Sequence, residues 1–259
     1  MALECDIEHV AQLILHSRHA VALTGAGHST PSGVPDFRSP RSGLWEKANP
    51  MVVASIFAFR LQPQAFYEWI RPLAALMLNA KPNPAHLALA WMEEMGLLQA
   101  VITQNIDDLH QRAGSRRVLE LHGHMREATC VRCYKVVPAQ PLIHKFLDDG
   151  QVPVCEDCGG VMKPNVVLFG EQLPVVVFNE ARREAELCDL MLVAGSSLEV
   201  APAANLPLIA YQHGAKLIII NYQETYLDAQ ADVVMHVDVA EALPRVVQVV
   251  QESMAPAPI

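Results

Sequence analysis

Four of the six cysteines are spaced to share one ion. Cys130-x-x-Cys133 and Cys155-x-x-Cys158 form two knuckles, with residues 134–154 between them. Two such knuckles surround one centre with four thiolates, the closed donor set of a single structural Zn2+, and leave no position for a reacting water. Iron in a rubredoxin-like site, or a thiol redox pair, would use the same spacing and stays open at this level. Cys5 and Cys188 stand alone and read as plain buried thiols.

A second set of reactive types sits in short polar clusters, each following an apolar run. Ala20–Thr24 leads into Gly25-Ala26-Gly27-His28-Ser29-Thr30, and Leu98–Thr103 into Gln104-Asn105-Ile106-Asp107. Val118–Leu121 leads into His122-Gly123, Asp189–Ala194 into Gly195-Ser196-Ser197, and Lys216–Ile220 into Asn221. Short apolar runs bounded in this way are the signature of buried parallel strands, and ligands bind beyond the carboxyl ends of such strands. Gly-Ala-Gly after a strand suits close approach to a pyrophosphate. The third glycine of the dinucleotide fingerprint is missing, with Thr30 in its place. The loop continues through Pro31 and Pro35 to Asp36-Phe37-Arg38, an acid, an aromatic and a base suited to chemistry on a bound cofactor.

Positioning these clusters requires an α/β frame. The runs predict a doubly wound parallel sheet, with strand rhythm resuming over 165–170 and a last strand over 231–237. Leu3, Ile7, Val10 and Ile14 share one face of an acidic N-terminal helix. Asn83-Pro84 is a helix start with Gly96 as its stop, and His86 on that helix reads as a packed or capping residue. A helix is expected over about 177–186. Pro244 argues for a turn over 238–243 and a final helix starting at 244, despite the capping-box pattern of Asp238 and Glu241. Residues 51–77 are rich in Phe, Leu, Ala and Ile and read as short helices covering something apolar, by ordinary packing or as a channel wall. The division is 1–43, 91–123 and 164–259 for the sheet domain, 44–90 for a helical insertion and 124–163 for the cysteine module.

The chain has 259 residues, 51% hydrophobic and 18% charged, with a formal net charge of −9. That fits a filled globular core and gives nucleic acid no electrostatic footprint. No run is long enough to span a membrane, and the acidic N-terminus is unlike a secretory signal. The expectation is a cytoplasmic, monomeric enzyme with neither nucleic acid nor membrane as partner.

Seven motifs occur in order: 25–39, 103–110, Leu-His-Gly at 121–123, the four cysteines, Lys-Pro-Asn-Val-Val-Leu-Phe-Gly-Glu at 163–171, Gly-Ser-Ser-Leu-x-Val-x-Pro at 195–202, and Asn221. Together they resemble the sirtuins, NAD-dependent protein-lysine deacylases, in their compact prokaryotic form. The resemblance implies an inverted Rossmann-type sheet domain with a small zinc-binding module, NAD as co-substrate, and acylated lysines of proteins or peptides as partners. It implies that Gly25, Ala26, Gly27, Thr30, Asp36, Phe37, Arg38, Gln104, Asn105, Ile106, Asp107, His122, Gly195, Ser196, Ser197 and Asn221 hold NAD. Asn105, Asp107 and His122 would be catalytic, with His122 as general base. Val167, Phe169, Gly170, Glu171, Leu198 and Val200 would bind the peptide as an added strand. Cys130, Cys133, Cys155 and Cys158 would hold the zinc. The products would be free lysine, nicotinamide and acyl-ADP-ribose.

The Tyr-x-x-Arg pair that marks a preference for acidic acyl groups is absent: Tyr67 is followed at that spacing by Ile70. Acetyl and longer apolar acyl groups are therefore expected over succinyl or malonyl. Mono-ADP-ribosyl transfer from the same NAD site, or a non-catalytic NAD or acyl-lysine binding module, are the alternatives. His28 has no role in this reading.

Overall fold

The structure is a computed structural model that describes residues 2–36 and 49–255. Six parallel strands form its main sheet. They are β1 (Ala20–Thr24), β2 (Ala100–Thr103), β3 (Val118–Glu120), β7 (Leu190–Ala194), β8 (Lys216–Ile220) and β9 (Val233–Met235), in the order β3-β2-β1-β7-β8-β9. This is the doubly wound order, and its switch point lies between β1 and β7. Strand residues are buried on both faces, so the runs read as continuously apolar instead of alternating. The alternation survives in what each side chain touches. Ala20, Ala22, Leu190, Leu192, Ile218 and Ile220 pack into one core, and Val21, Leu23, Met191, Val193, Leu217 and Ile219 into the other.

The first core is covered by α1 (Ala2–His16), α5 (Pro84–Glu94) and α10 (Val239–Met254). The second is covered by α8 (Val175–Leu187) and α9 (Leu206–Gln212). The expected face of α1 is present: Ile7, Val10 and Ile14 are buried. Asn83 caps α5 as expected, its side chain accepting from the Ala85 N–H at 2.9 Å.

The final helix starts five residues earlier than expected, at Val239, with Pro244 inside it. Asp238 caps it by accepting the Ala240 N–H at 2.7 Å. Proline in a helix interior costs about 3 kcal/mol. Burying Val239, Leu243, Val246 and Val250 in the core returns about 1.5–3 kcal/mol each, so packing overrides the local penalty.

A second, three-stranded sheet holds β4 (Gly123–Cys130), β5 (Val136–Pro138) and β6 (Met162–Val166) in the order β5-β4-β6, with α7 (Ala139–Asp149) against it. The strand expected over 165–170 is corrected here. It lies at 162–166 and runs antiparallel to β4 instead of joining the main sheet. The last strand is shorter than the 231–237 expected. Cys188 is buried, but Cys5 is exposed, against expectation, because it lies off the buried face of α1. Over the cleft between the sheets lie α2 (Pro50–Val53), α3 (Ile56–Leu61) and α4 (Pro63–Asn79). Phe59, Phe66, Tyr67, Ile70, Leu73 and Met77 of this cover pack with Val166 and Leu168. The helix 84–94 packs with the sheet core, not with the cover.

Candidate active site

The strand-end clusters converge on one cleft of about 720 Å³ at the β1/β7 switch point. The Gly27 N–H donates to the Gly195 carbonyl at 2.9 Å. A side chain on Gly25 would meet that carbonyl oxygen at 2.9 Å, and one on Gly27 at 3.0 Å. Gly195 has φ +67, and a Cβ there would sit 2.2 Å from the His28 nitrogen. These glycines let the two loops touch, a requirement that pyrophosphate approach alone does not impose. Gln104 brings in a third loop, its amide donating to Ser196 Oγ at 3.0 Å.

Asn105, Ser29 and Asp107 form a hydrogen-bonded chain in the cleft. Asn105 Nδ2 donates to the Gly25 carbonyl at 2.9 Å and to Ser29 Oγ at 3.0 Å. The Ser29 hydroxyl donates to Asp107 Oδ2 at 2.6 Å, and the Leu109 N–H to Asp107 Oδ1 at 3.0 Å. Burial pushes the Asp107 carboxyl above its ordinary range, while those two donors pull it back.

His122 stands in the turn between β3 and β4. Its Nδ1–H donates to the Gln104 carbonyl at 3.0 Å, since a carbonyl can only accept. In the neutral ring Nε2 therefore carries the lone pair. The turn demands a glycine next: Gly123 has φ +74, and a Cβ there would lie 2.0 Å from the Asn165 oxygen.

Gly25, Ala26, Gly27, Thr30, Asp36, Gln104, Asn105, Ile106, Asp107, His122, Gly195, Ser196, Ser197 and Asn221 all line the cleft, as do Val167, Phe169, Gly170, Glu171 and Val200. Leu198 does not. Its side chain is buried in the second core with Ala203 and Leu206. Phe37 and Arg38 lie outside the described residues. Ser29, Tyr222 and Gln223 also line the site and were not singled out. The serine's task appears only when Asp107, 78 residues away, lies across from it.

The described lining carries the acids Asp36, Asp107, Glu171 and Glu199 and no Lys or Arg. Phe66, Trp69, Ile70, Leu73 and Met77 form an apolar wall, so the cover serves both packing and the channel. Tyr67 turns away, its hydroxyl donating to the Met162 carbonyl at 2.5 Å. The wall segment 167–171 is fixed by Glu171, which accepts from the Leu168 N–H at 2.8 Å and pairs with Lys163 at 2.9 Å.

Cys130, Cys133, Cys155 and Cys158 gather at one end of the small sheet. Their sulfurs approach to 3.4 Å (Cys130–Cys158) and 3.7 Å (Cys133–Cys155). Zn–S bonds of 2.3 Å at tetrahedral angles require S···S separations of about 3.8 Å. The Cys133 and Arg132 amides donate to the Cys130 sulfur and draw its thiol down to about 6, which favours the thiolate. The donor set and spacing fit one zinc.

The Sir2 family profile matches residues 25–202. The chain belongs to the Sir2 family. This Sir2 chain is 48% identical over 245 residues to an NAD-dependent protein deacetylase of Caldivirga maquilingensis, covering 95% of this chain and 94% of the relative. A solved Sir2 enzyme superposes with TM-score 0.91 at 47% identity, covering 96% and 99% of the two chains. Sir2Tm bound to a propionylated peptide superposes with TM-score 0.86 at 44% identity, covering 96% and 99%.

Proposed function

We propose that this chain is an NAD-dependent protein-lysine deacylase that removes acetyl and longer apolar acyl groups. The observation that carries the reading is the His122 tautomer, set by the Gln104 carbonyl, in the same cleft as the paired glycine loops and the Asn105–Ser29–Asp107 chain. NAD would be held by Gly25, Ala26, Gly27, Thr30, Asp36, Phe37, Arg38, Gln104, Ile106, Gly195, Ser196, Ser197 and Asn221. When bound, it would supply the ribose carbon that exchanges its bond to nicotinamide, the leaving group, for one to the acyl group's oxygen.

His122 acts as general base, its Nε2 lone pair taking a ribose hydroxyl proton. Asp107, held by Ser29 and Leu109, accepts from the nicotinamide carboxamide. Asn105 holds the Ser29 hydroxyl in place. The peptide lies between 167–171 and 197–200. The N–H groups of Val167, Leu168 and Phe169 are already taken by the His122 carbonyl, Glu171 and the Ala54 carbonyl. The peptide therefore pairs with the backbone groups of this segment that remain, a contact with little sequence selectivity. We further infer three working units: the parallel-sheet body, the helical cover and the zinc module held by Cys130, Cys133, Cys155 and Cys158. Among the described residues, no helix is long and apolar enough to cross a membrane.

The test is a panel of acyl-lysine peptides incubated with NAD, with mass spectrometry of both products. Free lysine and acyl-ADP-ribose in equal amounts are expected. ADP-ribosylated protein with the acyl group retained would replace this reading with ADP-ribosyl transfer.

A further inference from the structure

Beside the cleft floor lie three histidines that the proposed reaction does not use. His28 sits in the turn after β1, His86 in the first turn of α5, and His110 on α6 (Leu109–Ala113). All three are buried, two at 0% exposure and His110 at 1%. Their ring centroids are 4.6, 4.8 and 5.0 Å apart, and one ligand nitrogen of each lies within 4.8 Å of the others. Three imidazoles on one tetrahedral ion, with Zn–N bonds of 2.0–2.1 Å, have centroids about 5 Å apart.

The hydrogen bonding leaves this cluster unsatisfied. His28 Nδ1 and Nε2 and His110 Nδ1 have no partner among the described residues. Buried polar atoms without partners are rare and costly, and each calls for a cause. The Thr24 hydroxyl donates to Thr103 Oγ1 at 2.8 Å, so it accepts from His110 Nε2–H at 2.9 Å. That fixes the tautomer and leaves the Nδ1 lone pair available to a ligand, with the Nε2–H bond as the outer contact that orients a metal-ligating histidine. His86 is held by two long contacts, Nδ1 accepting from the Asn83 N–H at 3.3 Å and Nε2 near Ser29 Oγ at 3.5 Å. Ligation through Nε2 gives up both. The helix cap survives, because Asn83 Oδ1 keeps the Ala85 N–H. Burial holds all three rings neutral, His86 down to about 4, as metal ligands must be.

We propose that His28, His86 and His110 form a second metal site, apart from the four cysteines, for a late first-row divalent cation such as Zn2+, Co2+ or Ni2+. Three imidazoles and no sulfur suit this class of ion. Asp107 lies one hydrogen-bonded residue away through Ser29 and supplies nearby negative charge.

The test uses the full chain carrying its four-cysteine zinc, loaded with Co2+ near pH 7.5, desalted and analysed for both metals. One equivalent of cobalt is expected in addition to the zinc, with none retained by His28→Leu or His110→Asn. X-ray absorption at the cobalt edge of the unsubstituted chain is independent of how the variants fold; it is expected to show imidazole scattering without sulfur. Cobalt that displaces zinc, cobalt bound only by water oxygens, or full retention by properly folded His28→Leu would overturn the proposal.

Discussion

At the residue scale the site depends on donors that fix how acids and bases are presented. His122→Ala is expected to lower deacylation by at least the 10²–10⁴-fold typical of a lost general base. Its thermal midpoint should stay near that of the parent chain, since His122 stands in the turn between β3 and β4 and not in either hydrophobic core of the main sheet. Turnover close to normal in that variant would remove His122 from the mechanism. Ser29→Ala takes away the 2.6 Å donor to Asp107 and leaves the Leu109 N–H on the other carboxylate oxygen. The carboxyl should then titrate higher, so the acid limb of the pH–rate profile should move up; an unmoved limb would separate Asp107 from catalysis. Asp107→Asn is expected to stabilise the fold at pH 8 while abolishing activity. The sign follows from burial: a carboxyl raised above its unfolded value costs stability as pH rises through its folded value. Denaturant midpoints at pH 8 check this.

At the element scale, the turn after β1, α5 and α6 meet through three neutral imidazoles. Their folded values lie below the unfolded 6.5, so the unfolded chain binds more protons as pH falls. Stability should be flat above about pH 7 and fall from 6.5 toward 4, by up to about 1.4 kcal/mol per pH unit for each ring. His28→Leu should reduce that slope in urea titrations. The carboxylates lowered by partners, Glu184 and Asp189 among them, act below their own ordinary values, in a more acid window. The small sheet depends differently on its chemistry. Cys130, Cys155 and Met162 form part of its core, so the ion organises the same residues that pack it. Cys155→Ala should release the zinc and unfold β4–β6, read as lost metal content and faster amide exchange over 123–166. Retained zinc with unchanged exchange would show the ion to be peripheral.

At the scale of the whole molecule, the cleft combines an apolar wall with acids and, among the described lining residues, no cation. A succinyl carboxylate entering it would lose water without gaining a counter-ion from those described residues. Desuccinylation should therefore run at least tenfold below deacetylation in kcat/KM, about 1.4 kcal/mol; equal rates would contradict the charge reading. The apolar runs, the cysteine pairs and the ordered motifs are local in the chain, so the parallel sheet, the four-cysteine cluster and the strand-end clusters that line the cleft were legible from the sequence. What was not legible depends on partners distant in sequence. Pro244 is tolerated inside α10 because its helix buries Leu243, Val246 and Val250 against α1 and α5. Residues 162–166 pair with β4 because Gly123 gives the backbone room beside Asn165. Leu198 turns into the core, and Tyr67 spends its hydroxyl on Met162, 95 residues away. The sequence by itself determined which groups could do chemistry and which strands would carry them. The tertiary structure alone decided which nitrogen of His122 holds the proton, what Ser29 is for, and that three histidines share one buried space. Tautomers, buried hydrogen bonds and clusters are set by contacts between elements, which chain order does not encode locally.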